Sequence, residues 1–506
     1  MKHYLSVLAF LVFSITAVSL PPPKREFRGA WVHVINQSRY QGMTTLEMKQ
    51  YFSSLLNDLA DNNINTLIFQ VRPSADAFYK SNIEPWSRYL TGIQGQNPRD
   101  GFDPMVFLIE EAHRRNMEFH AWLNPYRVTA SQNDVLCRDH IYFREPDRFI
   151  KYGNQIFFDP GLPQNRKLIC EVVNDIVTRY DIDAIHFDDY FYPYPLAGER
   201  FDDDFSFGVY AHRQGFSANR RADWRRNNVT LLIRQVRNTI IAAKPWVRFG
   251  ISPFGIYRNK RNTAGGSGTG SATNGLQNYD DLYADVLLWA EKGWIDYIIP
   301  QVYWEIGYQP ADYEILVDWW SRNVKNIHVY IGQDIARTVK KPDPADLSKN
   351  QLPRKIMLER KLPSVGGHCW WPGYDIVSNT AGIADSLKRN YQRYPALIPA
   401  YTQMHNKRPK DVKSLRAEWT PDGYILHWQR NGDITNPENA QYYVIYRFDK
   451  KQKADLTNPA NIVAISREPY YKLPYLNGRN KYKYVVTSVD RFHNESKKGK
   501  TRKVKL

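Results

Sequence analysis

Two adjacent carboxylates, Asp188 and Asp189, end a short apolar run and precede aromatic residues and a proline in Asp183-Ala-Ile-His-Phe-Asp-Asp-Tyr-Phe-Tyr-Pro193. The run reads as a buried strand with the acidic pair at its C-terminal end. Carboxyl groups beside aromatic rings suit acid/base work on a sugar. The rings stack on the apolar faces of a pyranose, and a carboxyl donates or accepts the proton at the glycosidic oxygen. Strand alternation puts His186, Asp188 and Tyr190 on one face, and Ile185, Phe187 and Asp189 on the other. With the apolar face against a helix layer, His186 and Asp188 point into a site. The competing structural reading has one aspartate capping the following turn.

The elements that must position this pair follow from the hydrophobic pattern. Strands are predicted at Phe27–Ile35, Asn65–Pro73, Met117–Pro125, Asp183–Pro193, Val247–Gly255, Ile295–Trp304, Ile327–Gln333 and Val365–Pro372. Helical patterns fall between them, from Leu46–Asp61 to Ile383–Tyr394. This alternation predicts an α/β fold, an eight-stranded parallel (β/α)8 TIM barrel over residues 25–400. A doubly wound open sheet is the alternative, and no Gly-x-Gly-x-x-Gly turn follows an early strand to favour a dinucleotide-binding version.

In such barrels the active site lies at the C-terminal strand ends. Polar residues of inward parity should therefore gather there. The candidates are Trp31 and His33; Gln70 and Arg72, followed by Asp76; His120, Trp122 and Asn124; and His186 with Asp188. Ser252, then Gln301, Tyr303 and Glu305, and finally His368 and Trp370 continue the ring. Two long loops, 125–160 and 259–278, could cover the rim, the second containing a Gly/Ser-rich stretch from Gly265 to Ala272.

A linker over 401–408 leads to short alternating strands at 409–506, which predict a small all-β sandwich. Its run Tyr482–Asp490 resembles the penultimate strand of a fibronectin type III domain, with Tyr484 as the candidate tyrosine corner. Residues 1–19 read as a secretory signal peptide: Lys2, an apolar run from Tyr4 to Phe13, then small Ala17 and Ser19 before the cut. No cysteine follows that run, so no lipid anchor is expected, and no membrane span.

Lys and Arg outnumber Asp and Glu by 69 to 52, a net charge of +17, which calls for an anionic partner. An exported, basic, aromatic-rich chain fits an extracytoplasmic polysaccharide, in the periplasm or outside the cell, rather than nucleic acid. The expected assembly is a monomer. Three cysteines imply that the core, not disulfides, supplies stability. Glu111, His113, Glu118 and His120 lie close in sequence without His-x-Glu-x-x-His or His-x-x-x-His spacing, so no metal or cofactor is expected and a metal-dependent deacetylase is disfavoured.

Several phrases carry a family resemblance: Glu26-Phe-Arg-Gly-Ala-Trp-Val, Phe69-Gln-Val-Arg-Pro-Ser-Ala-Asp-Ala-Phe-Tyr79, Glu84-Pro-Trp-Ser-Arg-Tyr-Leu-Thr-Gly92, Ala121-Trp-Leu-Asn-Pro-Tyr-Arg127, Ser252-Pro-Phe-Gly255 and Ile299-Pro-Gln-Val-Tyr-Trp304. With Ile185–Tyr190, they resemble the glycosyl hydrolase-like family 10 proteins, (β/α) barrel enzymes of the bacterial cell envelope. That family includes a lipoprotein hydrolase acting on denuded peptidoglycan, and the resemblance implies a similar substrate here. This chain departs from that relative in its unlipidated leader and its C-terminal sandwich.

The resemblance adds Tyr126, Arg127, Tyr190 and Trp304 to the candidate substrate contacts. Denuded strands expose lactyl carboxylates, which Arg72 and Arg127 could pair with; structural ion pairs beneath the rim are the alternative use of each. The His186-x-Asp188 spacing is similar to the Arg-x-Asp of amylase-type barrels, which implies Asp188 as nucleophile or as activator of water. Glu305, Asp76 and Asp189 compete as the second acid. The reading from another class is a non-catalytic envelope protein using the cleft and sandwich as a glycan cradle.

Overall fold

The computed structural model describes residues 21–263 and 269–506. The proposed leader and part of the Gly/Ser-rich stretch lie outside these described residues.

Eight parallel strands close into a barrel: β1 (Phe27–Val32), β2 (Thr66–Arg72), β3 (Glu118–Leu123), β4 (Ala184–Phe187), β5 (Arg248–Ile251), β6 (Tyr297–Ile298), β7 (His328–Asp334) and β8 (Val365–Trp371). Closure is direct: Phe27 to Ala30 of β1 register with Gly367 to Trp370 of β8. The open-sheet alternative is thereby excluded. Outside the sheet run α1 (Thr45–Asp61), α2 (Pro104–Arg114), α3 (Pro163–Arg179), α4 (Arg221–Ala243), α5 (Val286–Glu291), α6 (Tyr313–Asn323), α7 (Leu352–Lys361) and α8 (Ile383–Ser386). Their starts show why these segments are helical. Thr44 and Glu47 form a reciprocal capping box on α1, and Asp103 caps α2 with Pro104 in its first turn. Their apolar faces bury Phe52, Leu56 and Leu108 against the outward faces of the strands.

The barrel interior is packed rather than hollow. Phe27, Trp31, Ile68, Trp122, Tyr297 and Tyr330 fill it, and Ile398 and Tyr401 close the lower end. Gly250 of β5 makes that filling possible: a Cβ there would lie 1.9 Å from the Tyr297 ring. Strand eight carries a register shift between Val365 and His368. Gly367 occupies φ +140° there, and a Cβ on it would lie 2.1 Å from the Phe27 carbonyl oxygen, so no L side chain fits.

Beyond the barrel lie two antiparallel sheets. One comprises β9 (Lys413–Thr420), β10 (Gly423–Gln429) and β13 (Tyr470–Lys472). The other comprises β11 (Tyr442–Asp449), β12 (Ile462–Ser466), β14 (Lys481–Val489) and β15 (Lys500–Lys505). Strands β9 and β13 escape the hydrophobic pattern because each is mostly exposed. Tyr484 is buried, yet its hydroxyl has no hydrogen-bond partner. It therefore does not make the hydroxyl-to-backbone bond that defines a tyrosine corner.

The sandwich is attached at the N-terminal ends of the barrel strands, opposite the mouth. Lys24 pairs with Glu495 at 2.5 Å, Arg491 with Asp181 at 2.8 Å, and His493 Nε2 reaches Glu118 at 2.7 Å. Among the described residues no helix is long and apolar enough to cross a membrane. All three cysteines are free thiols.

Candidate active site

At the C-terminal strand ends lies a cavity of about 520 Å³, with Asp188 and Asp189 in its wall. Aromatic residues dominate the lining: Trp31, Trp122, Tyr190, Tyr194, Phe254, Tyr303, Trp304 and Trp371. A second cavity of about 360 Å³ shares Ile35, Asn36, Arg127, Tyr190 and Tyr194 with the first. The two make an elongated cleft, and the stacked pair Tyr190 and Tyr194, 5.2 Å between centroids, stands where they meet.

Asp188 is 3% exposed and held by side chains of β3 and its following turn. Trp122 Nε1 donates to Oδ2 at 3.0 Å, and Asn124 Nδ2 donates to both oxygens at 3.1 and 3.2 Å. Burial raises its pKa, while the nearby Arg127 cation and these donors oppose the rise. Charge-assisted bonds of this kind contribute about 1.5–3 kcal/mol each. Arg72 steadies the support: it forms a two-point ion pair with Glu84 and donates Nη1 to the Asn124 and Pro125 carbonyls.

Asp189 is placed differently. Strand β4 ends at Phe187, so alternation no longer governs Asp189, and it too opens to the cavity. Burial and repulsion from Asp188 push its pKa up to about 7. Tyr194 donates its hydroxyl to Oδ2, and this bond and one from Gln301 oppose the rise. Two neighbouring carboxyls are thus split: one is stabilised by three donor contacts, the other protonated near neutrality. That separation is the signature of a division between acid and base or nucleophile.

Other polar groups line the cavity with unused capacity. Gln70 Oε1 accepts from the Val34 and Ile35 backbone N–H groups, both at 3.0 Å, while its Nε2 has no partner. His33 Nδ1 is likewise unpartnered, and burial lowers the pKa of that imidazole to about 4. These are donors waiting for hydroxyl or carbonyl oxygens. Among the described residues, neither Arg127 nor Arg337 of the cavity wall has a carboxylate within ion-pair distance. Arg127 instead donates Nη2 to the Pro73 carbonyl at 2.9 Å and lies 5.0 Å from the Tyr190 ring centre.

Below the cavity floor runs a chain of hydrogen bonds along the barrel axis. Trp31 Nε1 can only donate, and it lies 3.2 Å from His186 Nε2, so that nitrogen accepts. His186 Nδ1 then donates to the Tyr297 oxygen at 3.0 Å, and Tyr297 donates to His120 Nδ1 at 2.8 Å. His120 Nε2 donates to Glu118 at 3.0 Å. A donor-only indole at one end and a carboxylate at the other fix every proton between. Burial keeps both imidazoles neutral. Ser252 at the floor also touches His186 Nε2, at 3.0 Å.

The structure therefore brings together Asp188, Asp189, Trp31, His33, Gln70, Trp122, Arg127, Tyr190, Ser252, Gln301, Tyr303 and Trp304 around one cavity. Asn124 stands behind Asp188. His120 and His186 are corrected from substrate contacts to buried members of the axial chain. Arg72 is corrected too, because a register shift after Gln70 turns it towards Glu84. Asp76 is fully buried against Gln94, 3.1 Å away, and Tyr126 is fully buried away from the cleft. Glu305 faces Lys341 at 3.5 Å and does not line the cavity, which removes it as the partner acid. His368 and Trp370 face the helix layer, His368 pairing with Glu359 of α7 at 3.0 Å. The Gly366-Gly367 bulge reverses the parity of β8, so Trp371 lines the cavity instead. The sequence reading also missed Asn36, Tyr194, Phe254, Asp334 and Arg337. The glycine pair was an available signal for the bulge, and Phe254 shares the parity of Ser252; Asn36, Tyr194, Asp334 and Arg337 lie outside the predicted strands.

Among the described residues no group of three or more His, Cys, Asp or Glu side chains is placed to hold a metal. The arrangement sets two carboxyl groups in a wall of aromatic rings.

Comparison with known proteins agrees with the geometry. The model of the family Glycosyl hydrolase-like 10 matches residues 26–348. The chain belongs to that family. Glycosyl hydrolase YngK of Bacillus subtilis is 40% identical over 98% of this chain and 96% of its own length. Glycosyl hydrolase DigH of Escherichia coli K12 is 36% identical over 60% of this chain and 72% of its own. Among solved structures, the PgaB glycoside hydrolase domain of Bordetella bronchiseptica aligns with a TM-score of 0.45 at 10% identity, covering 72% of this chain and 98% of that one. This family member is a glycoside hydrolase built on a (β/α)8 barrel.

Proposed function

We propose that the enzyme cuts the glycan strands of bacterial peptidoglycan, best when their stem peptides have been removed, outside the cytoplasm and as a monomer. The observation that carries the chemistry is the split carboxyl pair. Asp189, protonated near neutrality, donates to the departing glycosidic oxygen. Asp188, whose anion Trp122, Asn124 and Arg127 favour, faces the anomeric carbon as nucleophile or as base for water. The substrate reading rests on the elongated aromatic cleft and on Arg127 and Arg337 in its wall. Each N-acetylmuramic acid without its peptide exposes a lactyl carboxylate, and a guanidinium fork suits that group. The chain-wide excess of positive charge favours the same polyanion. The basic leader with its apolar run supports export, and the order of strands in the two C-terminal sheets supports the fibronectin type III-like reading of the sandwich.

The test is digestion of purified peptide-free and peptide-bearing peptidoglycan, with products identified by mass. Wild-type enzyme should release glycan fragments faster from the peptide-free polymer. Asp188→Asn and Asp189→Asn should bind it with turnover cut by about 10²-fold or more. Equal cleavage of uncharged chitin would remove the role given to the lactyl carboxylate.

A further inference from the structure

The sandwich carries a second aromatic surface far in sequence from the catalytic pair. Trp419 on β9 and Tyr424 on β10 are cross-strand partners, their rings stacked with centroids 5.1 Å apart. Tyr475 packs edge-on against Trp419 at 4.8 Å. Such large rings normally cover a core, yet Trp419 is 61% exposed and Tyr475 44%. Lysines flank them. The Lys472 side chain lies over Gly423, next to Tyr424, and the Lys505 side chain lies beside Gly478, as does the Tyr475 hydroxyl. Neither lysine has an ion-pair partner among the described residues. The setting is strongly basic: residues 409–506 hold 20 Lys and Arg against 10 Asp and Glu, more than half of the chain's net positive charge in about a fifth of its length.

We propose that Trp419, Tyr424 and Tyr475, with Lys472 and Lys505, form a glycan-binding platform for a strand of anionic polysaccharide, here the peptide-free peptidoglycan strand. This rests on the substrate reading above and assigns a second site for the same polymer. Exposed rings held in a fixed array stack on pyranose faces with little loss of side-chain entropy. The lysines supply point charges for carboxylates spaced along the strand, and the surrounding field gathers the polymer more strongly at low salt. Because the sandwich is attached opposite the mouth, the stretch gripped here is not the stretch being cut. The platform holds the enzyme on an insoluble polymer while the cleft works on another segment, so binding to polymer and turnover of short substrate are separable.

The experiment uses full-length protein. In an Asp189→Asn background, cosedimentation with peptide-free peptidoglycan is measured at low and high salt, with Trp419→Ala/Tyr475→Ala and Lys472→Gln/Lys505→Gln introduced separately. The aromatic pair should weaken binding at least about tenfold, and the lysine pair should flatten the salt dependence. In an otherwise wild-type background the same substitutions should leave kcat/KM on a soluble peptidoglycan tetrasaccharide unchanged, which also shows that the variants fold. Unaltered cosedimentation of the aromatic variant overturns the platform. Equal loss on uncharged chitin overturns its preference for an anionic strand. Trp419-dependent capture on anionic lipid vesicles but not on glycan assigns the surface to membranes and overturns the proposal. If the wild type cuts no peptidoglycan yet binds it through Trp419, the platform stands and the substrate reading of the cleft falls.

Discussion

Asp189→Asn removes the proton that the site holds near neutrality while leaving the shape of the side chain nearly intact. In the native fold this carboxyl titrates at about 7 against an ordinary value of 3.8, a rise of roughly three units. At about 1.4 kcal/mol per unit, holding its anion in the site costs about 4 kcal/mol. General acids of this kind contribute about 10²–10⁴ in rate, so kcat/KM on a natural glycan should fall by that factor. On an aryl glycoside with a readily departing nitrophenolate the loss should shrink to within about tenfold, because that leaving group needs no proton. The wild-type pH profile should turn down above about pH 7, as Asp189 ionises. Since the Asp188 charge helps raise Asp189, that alkaline limb should move to lower pH in residual Asp188→Asn activity. Stability gives an independent reading. The native pKa lies above the unfolded one, so the stability linked to this proton is whole below about pH 4 and lost as pH rises towards 7. Asp189→Asn carries no such loss, and its gain in melting temperature over wild type should be larger at about pH 8 than at about pH 5. Equal losses on aryl and natural glycosides, with a pH-independent change in stability, would refute the acid role.

Four further outcomes follow from the same contacts. Asn124→Ala should raise the pKa of Asp188, shifting the acid limb of kcat/KM upward and cutting activity by about tenfold or more, at a cost of about 1.5–3 kcal/mol in charge-assisted bonding. Arg337→Ala should raise KM for muramyl-containing oligosaccharides several-fold and leave chito-oligosaccharides of equal length little changed, read by steady-state kinetics. Tyr297→Phe should cost about 2–5 kcal/mol in urea unfolding, because it strands His186 Nδ1–H and His120 Nδ1 together in the barrel interior. Glu118→Gln should destabilise by about 3–5 kcal/mol, since it leaves the Arg248 guanidinium buried beside His493 without its carboxylate.

The barrel was legible because all eight strands are buried runs separated by amphipathic helices, a signal that survives errors at the ends. The candidate site was legible where strands are regular. Trp31, Trp122, Asp188 and Ser252 follow simple alternation, and all four reach the cavity or its floor. It was misread where a bulge intervenes: Arg72 after the shift in β2, and His368 and Trp370 after the shift in β8. Alternation also gives direction without depth. His120 and His186 point inward as expected, yet sit below the floor, where only neighbouring strands determine whether a polar group meets substrate or another side chain. Residues beyond the strand ends, such as Tyr194 on a loop and Arg337 in the short helix Ile335–Val339, are not reached by strand alternation.

Depth along the axis also accounts for the asymmetry of the catalytic pair. Asp188 keeps strand parity and lands between Trp122 and Asn124, whose donors are aimed by the same register that packs the barrel. Asp189, two residues beyond the last ladder pair of β4, takes the Tyr194 hydroxyl and the Gln301 amide as donors and feels the charge of its neighbour. Burial raises both carboxyls; Arg127 and the donors on Asp188 restrain its rise, whereas repulsion from Asp188 adds to the rise at Asp189. The end of one strand therefore sets the difference in protonation that the reaction needs. Lengthening β4 by two residues would be expected to abolish activity, because Asp189 would then turn to the helix layer while Asp188 stayed in place.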